Sequence, residues 1–244
     1  MILNSHLPVK AWLDPQTARL PGVKPVSVED WVYKSDQYDA QMAYRHDLLS
    51  FQKDAVFRAA EDSLEACLEL RDIICGEKGV KPLIGDHPLI NAASHVQEDL
   101  CVLQKQGDHH LLTAAVMCFP SSWDFREKLG RSIDSIHGPV PEFSKVSNTV
   151  ERMLSAIRVD QPLGRANFLI YTDPELHQPR SEGIAKPIDP KAPRYVRVER
   201  QTFRRLPETL AVIFTIHTFV VPASILSAED HAALAKLKPD LLRS

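Results

Sequence analysis

Residues 194–222, RYVRVERQTFRRLPETLAVIFTIHTFVVP, decide the reading of the fold. They read as two strands joined by a tight turn at Leu206-Pro207-Glu208-Thr209, where proline and polar residues interrupt the extended pattern. The first strand carries Arg194, Arg197, Arg200, Arg204 and Arg205 with Glu199 among them; the second, residues 211–219, is almost wholly apolar. Side chains alternate across a strand, so Val196, Val198, Arg200, Thr202 and Arg204 share one face, and Tyr195, Arg197, Glu199, Gln201 and Phe203 the other. Neither face is purely polar, so some of the charges lie near a buried surface. A buried guanidinium needs an anion or several acceptors, and its planar fork of donors suits carboxylates and phosphates. Arg200 and Arg204, beside the valines, are thus candidates for an anion clamp. The alternative is a salt-bridged, partly solvated strand with Glu199 as partner.

At 244 residues the chain suits one large domain or a domain with a helical extension. Its 44% apolar and 25% charged residues are ordinary for a globular protein. A net charge of −3 gives no general attraction to nucleic acid or anionic membrane, so the arginine cluster is a local feature. No run approaches the ~20 apolar residues of a membrane span. The first residues, MILNSHLPVKAW, lack a secretory pattern, and the cytoplasm is the expected compartment. Cys67, Cys75, Cys101 and Cys118 form no CxxC pair and read as buried free thiols.

Outward from the hairpin, residues 1–30 are rich in proline and read as an extended arm. A helix is expected from Ser35-Asp36, as N-cap, through Leu49. A second runs over residues 63–75 and stops at Gly76. Residues 100–103 and 111–119 read as strands around a Gln106-Gly107-Asp108 turn. Pro120-Ser121-Ser122 ends the second of these and opens a short helix through Leu129, and Ser132 starts another leading to His137. A cleaner helix follows, with Val146, Val150, Met153, Leu154 and Ile157 on one face. Residues 165–171 form a third strand, residues 173–193 a proline-rich loop, and Ser227 caps a final helix to about Lys238.

Zinc spacings such as HExxH are absent, as are GxSxG, GxGxxG and GxxxxGK[ST]. His109-His110 at the turn reads as solvated. His137 is singled out by Gly138 and Pro139, which allow close approach and stiffen its loop. His217, on the apolar strand, reads as a core histidine that one or two hydrogen bonds satisfy.

The run VRVERQTFRRLPETLAVIFTIHTF resembles the signature of the haem-dependent oxidative N-demethylase family. Three further stretches match it in order: EDLCVLQKQGDHHLLTAAVMCFPSSW (residues 98–123), EKLGRSIDSIHGPVP (residues 127–141) and LGRANFLIY (residues 163–171). Upstream, WVYKSDQYDAQMAYRHDLL is similar to the family's helical region, so the likeness covers roughly residues 31–237. Phe168 departs from a tryptophan common in the family. The resemblance implies an α+β fold with a PAS-like five-stranded antiparallel sheet, covering helices and an N-terminal helical extension, an arrangement the element order also suggests. The division would be residues 1–97, arm and extension, and residues 98–244, the PAS-like haem-binding core.

It also implies haem b with its iron, held by His137 as axial ligand with His217 as the rival. Arg200 and Arg204 would neutralise propionates or polarise bound oxygen, and Asn167 would hydrogen-bond in the pocket. Glu199 would be a catalytic carboxylate, although it lies on the opposite strand face from Arg200. The implied reaction is oxidative N-demethylation of a small secondary or methylated amine, with release of formaldehyde. It would use dioxygen and electrons from a flavin and iron–sulfur reductase partner. The alternative is a PAS-like sensor of haem or a small ligand.

Overall fold

The hairpin read from the sequence lies at the middle of one antiparallel sheet. The computed structural model describes residues 1–16, 20–121, 124–138, 143–181, 184, 189 and 191–237. Its strands are β1 (Lys24–Pro25), β2 (Phe57–Ala59), β3 (Asp99–Gln106), β4 (His109–Val116), β5 (Leu163–Tyr171), β6 (Tyr195–Arg205) and β7 (Val212–Pro222). The α-helices are α1 (Tyr38–Phe51), α2 (Lys53–Val56), α3 (Leu64–Lys78), α4 (Pro88–Ala93), α5 (Ile133–Ile136), α6 (Ser147–Ala156) and α7 (Ala228–Leu237). The sheet order is β1-β5-β6-β7-β3-β4-β2. Among the described residues it has seven strands where five were expected. The five long ones are those read from the sequence, and the arm and helical extension add β1 and β2 along the two edges. An edge strand otherwise presents unpaired N–H and C=O groups, which these short segments satisfy.

Register settles which residues share a face. Arg200 lies opposite His217 and Ala166, whereas Glu199 lies opposite Thr218 and Asn167, and Gln201 opposite Ile216 and Arg165. Directly opposed residues point the same way. On the His217 face, Val196, Val198 and Phe219 pack on Trp12 of the arm and Leu234 of α7. Further along that face, Val102 and Ile213 pack on Trp31, α3 and α4. On the Glu199 face, Val212, Phe214 and Ile216 pack on Phe125, Ile133 and Ile136 of α5, and Val150 and Leu154 of α6. Each face thus has its own covering layer.

Local signals held where no tertiary contact competed. Gly107, at φ +60°, makes the β3–β4 turn. Ser132 accepts from the Ser135 N–H at 3.2 Å to cap α5, and Ser227 accepts from the Asp230 N–H at 3.1 Å to cap α7. Lys238, the expected end of α7, lies outside the described residues. Several expected boundaries moved, two of them for reasons visible in the contacts. Helix α1 starts at Tyr38 because the Asp36 carboxylate instead accepts from Asn4 Nδ2 and the Ser5 N–H, both at 2.7 Å. Helix α3 passes Gly76 and ends at Gly79, whose φ of +65° is the left-handed cap that favours glycine. All four cysteines are buried free thiols. Among the described residues no helix is long and apolar enough to cross a membrane.

Candidate functional site

His137 follows the last turn of α5, over the Glu199 face. Its Nδ1 lies 2.9 Å from the Ile133 carbonyl oxygen, which can only accept. The ring proton therefore sits on Nδ1, and Nε2 carries the lone pair. The ring stacks on Phe143 with centroids 4.2 Å apart and planes 13° from parallel. Burial pushes its pKa down, and the nearby Lys128 and Arg165 cations push the same way against the Ile133 hydrogen bond. The imidazole is thus neutral at pH 7. Pro139, expected to stiffen this loop, lies outside the described residues.

The sheet beneath is polar at one patch. Asn167 Nδ2 donates to Glu199 Oε2 at 3.1 Å, Gln201 Nε2 to the same oxygen at 3.5 Å, and Arg197 Nε to Glu199 Oε1 at 3.4 Å. Arg165 Nη1 donates to Gln201 Oε1 at 2.9 Å. Arg165 Nε and Asn167 Oδ1 are buried without a hydrogen-bond partner. Burial lowers the proton affinity of Arg165, and the Glu199 charge opposes that. His137, Asn167 and Glu199, all named from the sequence, therefore share one side of the sheet.

Arg200, Arg204 and His217 lie on the other side. Arg200 donates to the main-chain carbonyls of Asp30 and Trp31, and Thr202 Oγ1 to the Trp31 carbonyl at 2.9 Å. Arg204 pairs with Glu77 at 2.6 Å and lies over the Trp31 ring, whose Nε1 also donates to Glu77. His217 Nδ1 lies 3.0 Å from Glu98 Oε1, which accepts from the Tyr33 N–H at 2.7 Å as well. Burial disfavours the Glu98 charge, but His217 and these hydrogen bonds outweigh it and hold the carboxyl below the ordinary glutamate range. The His217 ring stacks on Phe219 at 4.2 Å, and its Nε2 and Glu98 Oε2 are buried without partners. No single group can touch both sets, because the sheet separates them. Glu199, offered as a salt-bridge partner for the arginines, pairs with Arg197 and not with Arg200.

One histidine departs from its expected place. His109 is exposed, but His110 is buried, its Nδ1 and main-chain N–H both bonded to Glu151 of α6. The turn that exposes the first residue of β4 points the second at the helix layer. The sequence reading also passed over Arg165 and Glu98, and gave Arg197 no role beyond its place on the strand. The alternation of β5 could have placed Arg165 beside Asn167, since they are two residues apart. Nothing local marks Glu98, whose partners Tyr33 and His217 are 65 and 119 residues away.

A family model described as haem-dependent oxidative N-demethylase, alpha subunit-like, matches residues 77–241. The match takes in β3 to β7, α4 to α7, His137, the Glu199 cluster and the Glu98–His217 pair, and leaves the upstream run at residues 31–49 outside. It spans well over half of the sequence. The chain belongs to the haem-dependent oxidative N-demethylase, alpha subunit-like, family.

Proposed function

We propose that the chain is the haem-binding catalytic subunit of an oxidative N-demethylase acting on a small secondary or methylated amine. The observation that carries this reading is His137: a neutral imidazole whose Nδ1–H is fixed by a carbonyl and whose Nε2 is left to donate. A carbonyl that takes the proton of the far ring nitrogen is how a metal-bound histidine is usually oriented. The residues fit a haem on the Glu199 face: His137 would hold the iron, with Phe143 packed on the imidazole and the Arg165 cation close by. With no CxxCH for covalent attachment, the group would be haem b. We read the five long strands, in the order β5-β6-β7-β3-β4, as a PAS-like core. Residues 1–97 then form an arm and helical extension packed on the core of residues 98–244 as one unit.

Haem iron supplies the dioxygen chemistry when bound, with electrons from a separate flavin and iron–sulfur reductase. The other steps fall to this chain. Glu199, steadied by Asn167, Gln201 and Arg197, offers a carboxylate that holds and orients the protonated amine. The apolar layer of α5 and α6 keeps water from the reacting carbon. Arg200 and Arg204, spent on main-chain carbonyls and Glu77, anchor the arm and are not assigned to the cofactor.

His137→Ala should abolish the Soret band of the haem-loaded protein or change its ligand signature, with secondary structure retained. His217→Ala should leave that spectrum unchanged. A spectrum that follows His217 and ignores His137 would move the ligand to the other face. The His217–Glu98 pair has the carboxylate backing found behind many metal-bound histidines, but it is sealed beneath Tyr33 and Phe219. Reduced by an artificial donor in air, the protein should release formaldehyde from dimethylamine. Stable oxygen binding without turnover would instead support a sensor.

A further inference from the structure

We infer that Arg165 is the residue that binds a carboxylate of the porphyrin, taking the place the sequence suggested for Arg200 and Arg204. This rests on the haem reading above. The two motif arginines face away from His137 and are occupied by Asp30, Trp31 and Glu77. Arg165 is on the same side as His137 and close enough for its charge to act on that imidazole.

Its hydrogen bonding is incomplete in a directed way. Nη1 is held by Gln201 Oε1, which fixes the plane of the guanidinium, while the buried Nε has no partner. The edge formed by Nε and Nη2 is one of the two that accept a carboxylate in bidentate fashion. The nearest carboxylate of the chain does not fill it. Glu199 receives its hydrogen bonds from Asn167, Gln201 and Arg197, and acts on Arg165 only through its charge. A guanidinium with a buried, unpartnered Nε–H is costly unless an acceptor completes it. A propionate supplies that acceptor with the required planarity. The preceding residue keeps this strand in place: Gly164 has no side chain, so Val26 of the arm packs directly against its backbone.

The full chain, stripped of haem, is titrated with haemin and with haemin dimethyl ester, following the Soret band. The ester keeps the iron and the ring but loses both carboxylate charges. Arg165→Met should weaken haemin binding by about 10- to 100-fold and ester binding by less than about threefold, the range expected for one charged hydrogen-bonded partner. Arg165→Lys, which keeps the charge and loses the fork, should fall between, again with haemin only. Equal losses for both porphyrins, or no loss for haemin, overturn the assignment, and Arg165→Lys decides the matter if Arg165→Met does not fold. Wild-type chain that binds haemin and its ester equally well also overturns it. Wild-type chain that binds neither removes the haem reading itself, a result distinct from failure of the Arg165 role.

Discussion

Replacing Glu98 tests the contact that joins the arm to the sheet. Its side chain is 1% exposed, and Oε1 alone accepts from the Tyr33 N–H at 2.7 Å and His217 Nδ1 at 3.0 Å. In Glu98→Ala both donors remain buried without an acceptor. Each such orphan costs about 1–3 kcal/mol, partly offset because a carboxylate with one unsatisfied oxygen no longer has to be buried. The net loss should be about 2–4 kcal/mol. Glu98→Gln keeps an acceptor for both donors but removes the charge and puts an amide where Oε2 lacks a partner, so about 1–3 kcal/mol is expected. The carboxyl is depressed in the folded state, so across its titration the unfolded chain binds more protons and stability rises with pH. Its contribution is present above the ordinary value of 4.5 and is lost as pH falls through the lower folded value. The stability gap between wild type and Glu98→Gln should therefore close in acid. Urea unfolding at several pH values, followed by far-ultraviolet circular dichroism and by emission of the buried Trp31, measures it. A gap below about 0.5 kcal/mol at pH 7 would refute the reasoning, as would one that widens in acid.

Two further substitutions separate packing from cofactor binding. Gly164→Ala would place a Cβ 2.5 Å from Val26 Cγ2, so the Val26 side chain or the adjoining β1 must move; a loss of about 1–3 kcal/mol is expected in denaturant unfolding. Arg200→Lys keeps the charge but loses the fork that reaches two carbonyls, and should cost about 0.5–1.5 kcal/mol. Its haemin affinity should match wild type, whereas a clear loss in the same Soret titration would return Arg200 to the cofactor.

Much of the sheet was legible because its long strands are built from local signals. The β6–β7 hairpin, the glycine turn at residue 107 and the apolar stripe of α6 each depend on residues near in sequence. Strands β1 and β2, of two and three residues, are too short to show any period. They exist only because the edges of β5 and β4 offer them partners. The same competition moved the start of α1: Asp36 would cap a free helix, but Asn4 and Ser5 claim its oxygens. Both histidines singled out from the sequence have a fixed Nδ1 partner, yet only the packing of α5 and the register of β7 place them on opposite sides of the sheet.

The arginines of β6 show why chemistry was harder to read than fold. Alternation sorted them correctly by face, and burial did require acceptors. Most of the acceptors supplied are main-chain carbonyls and not anions. Arg197 donates to the carbonyls of Phe119 and Leu176, Arg200 to those of Asp30 and Trp31, and Arg205 to those of Leu154, Ile157 and Leu210. Arg205 meets the C-terminal end of α6, where unpaired carbonyls and the helix dipole favour a cation. One strand thus ties loops and helix ends to both faces of the sheet through four guanidinium groups. A carbonyl clamp and an anion clamp ask for the same residue type. What distinguishes them is whether the fork is already filled, and that is decided by segments up to 170 residues away. On the His137 side of the sheet, Arg197 is filled in this way, and Arg165, a lone arginine one strand over, keeps a buried Nε–H without a partner.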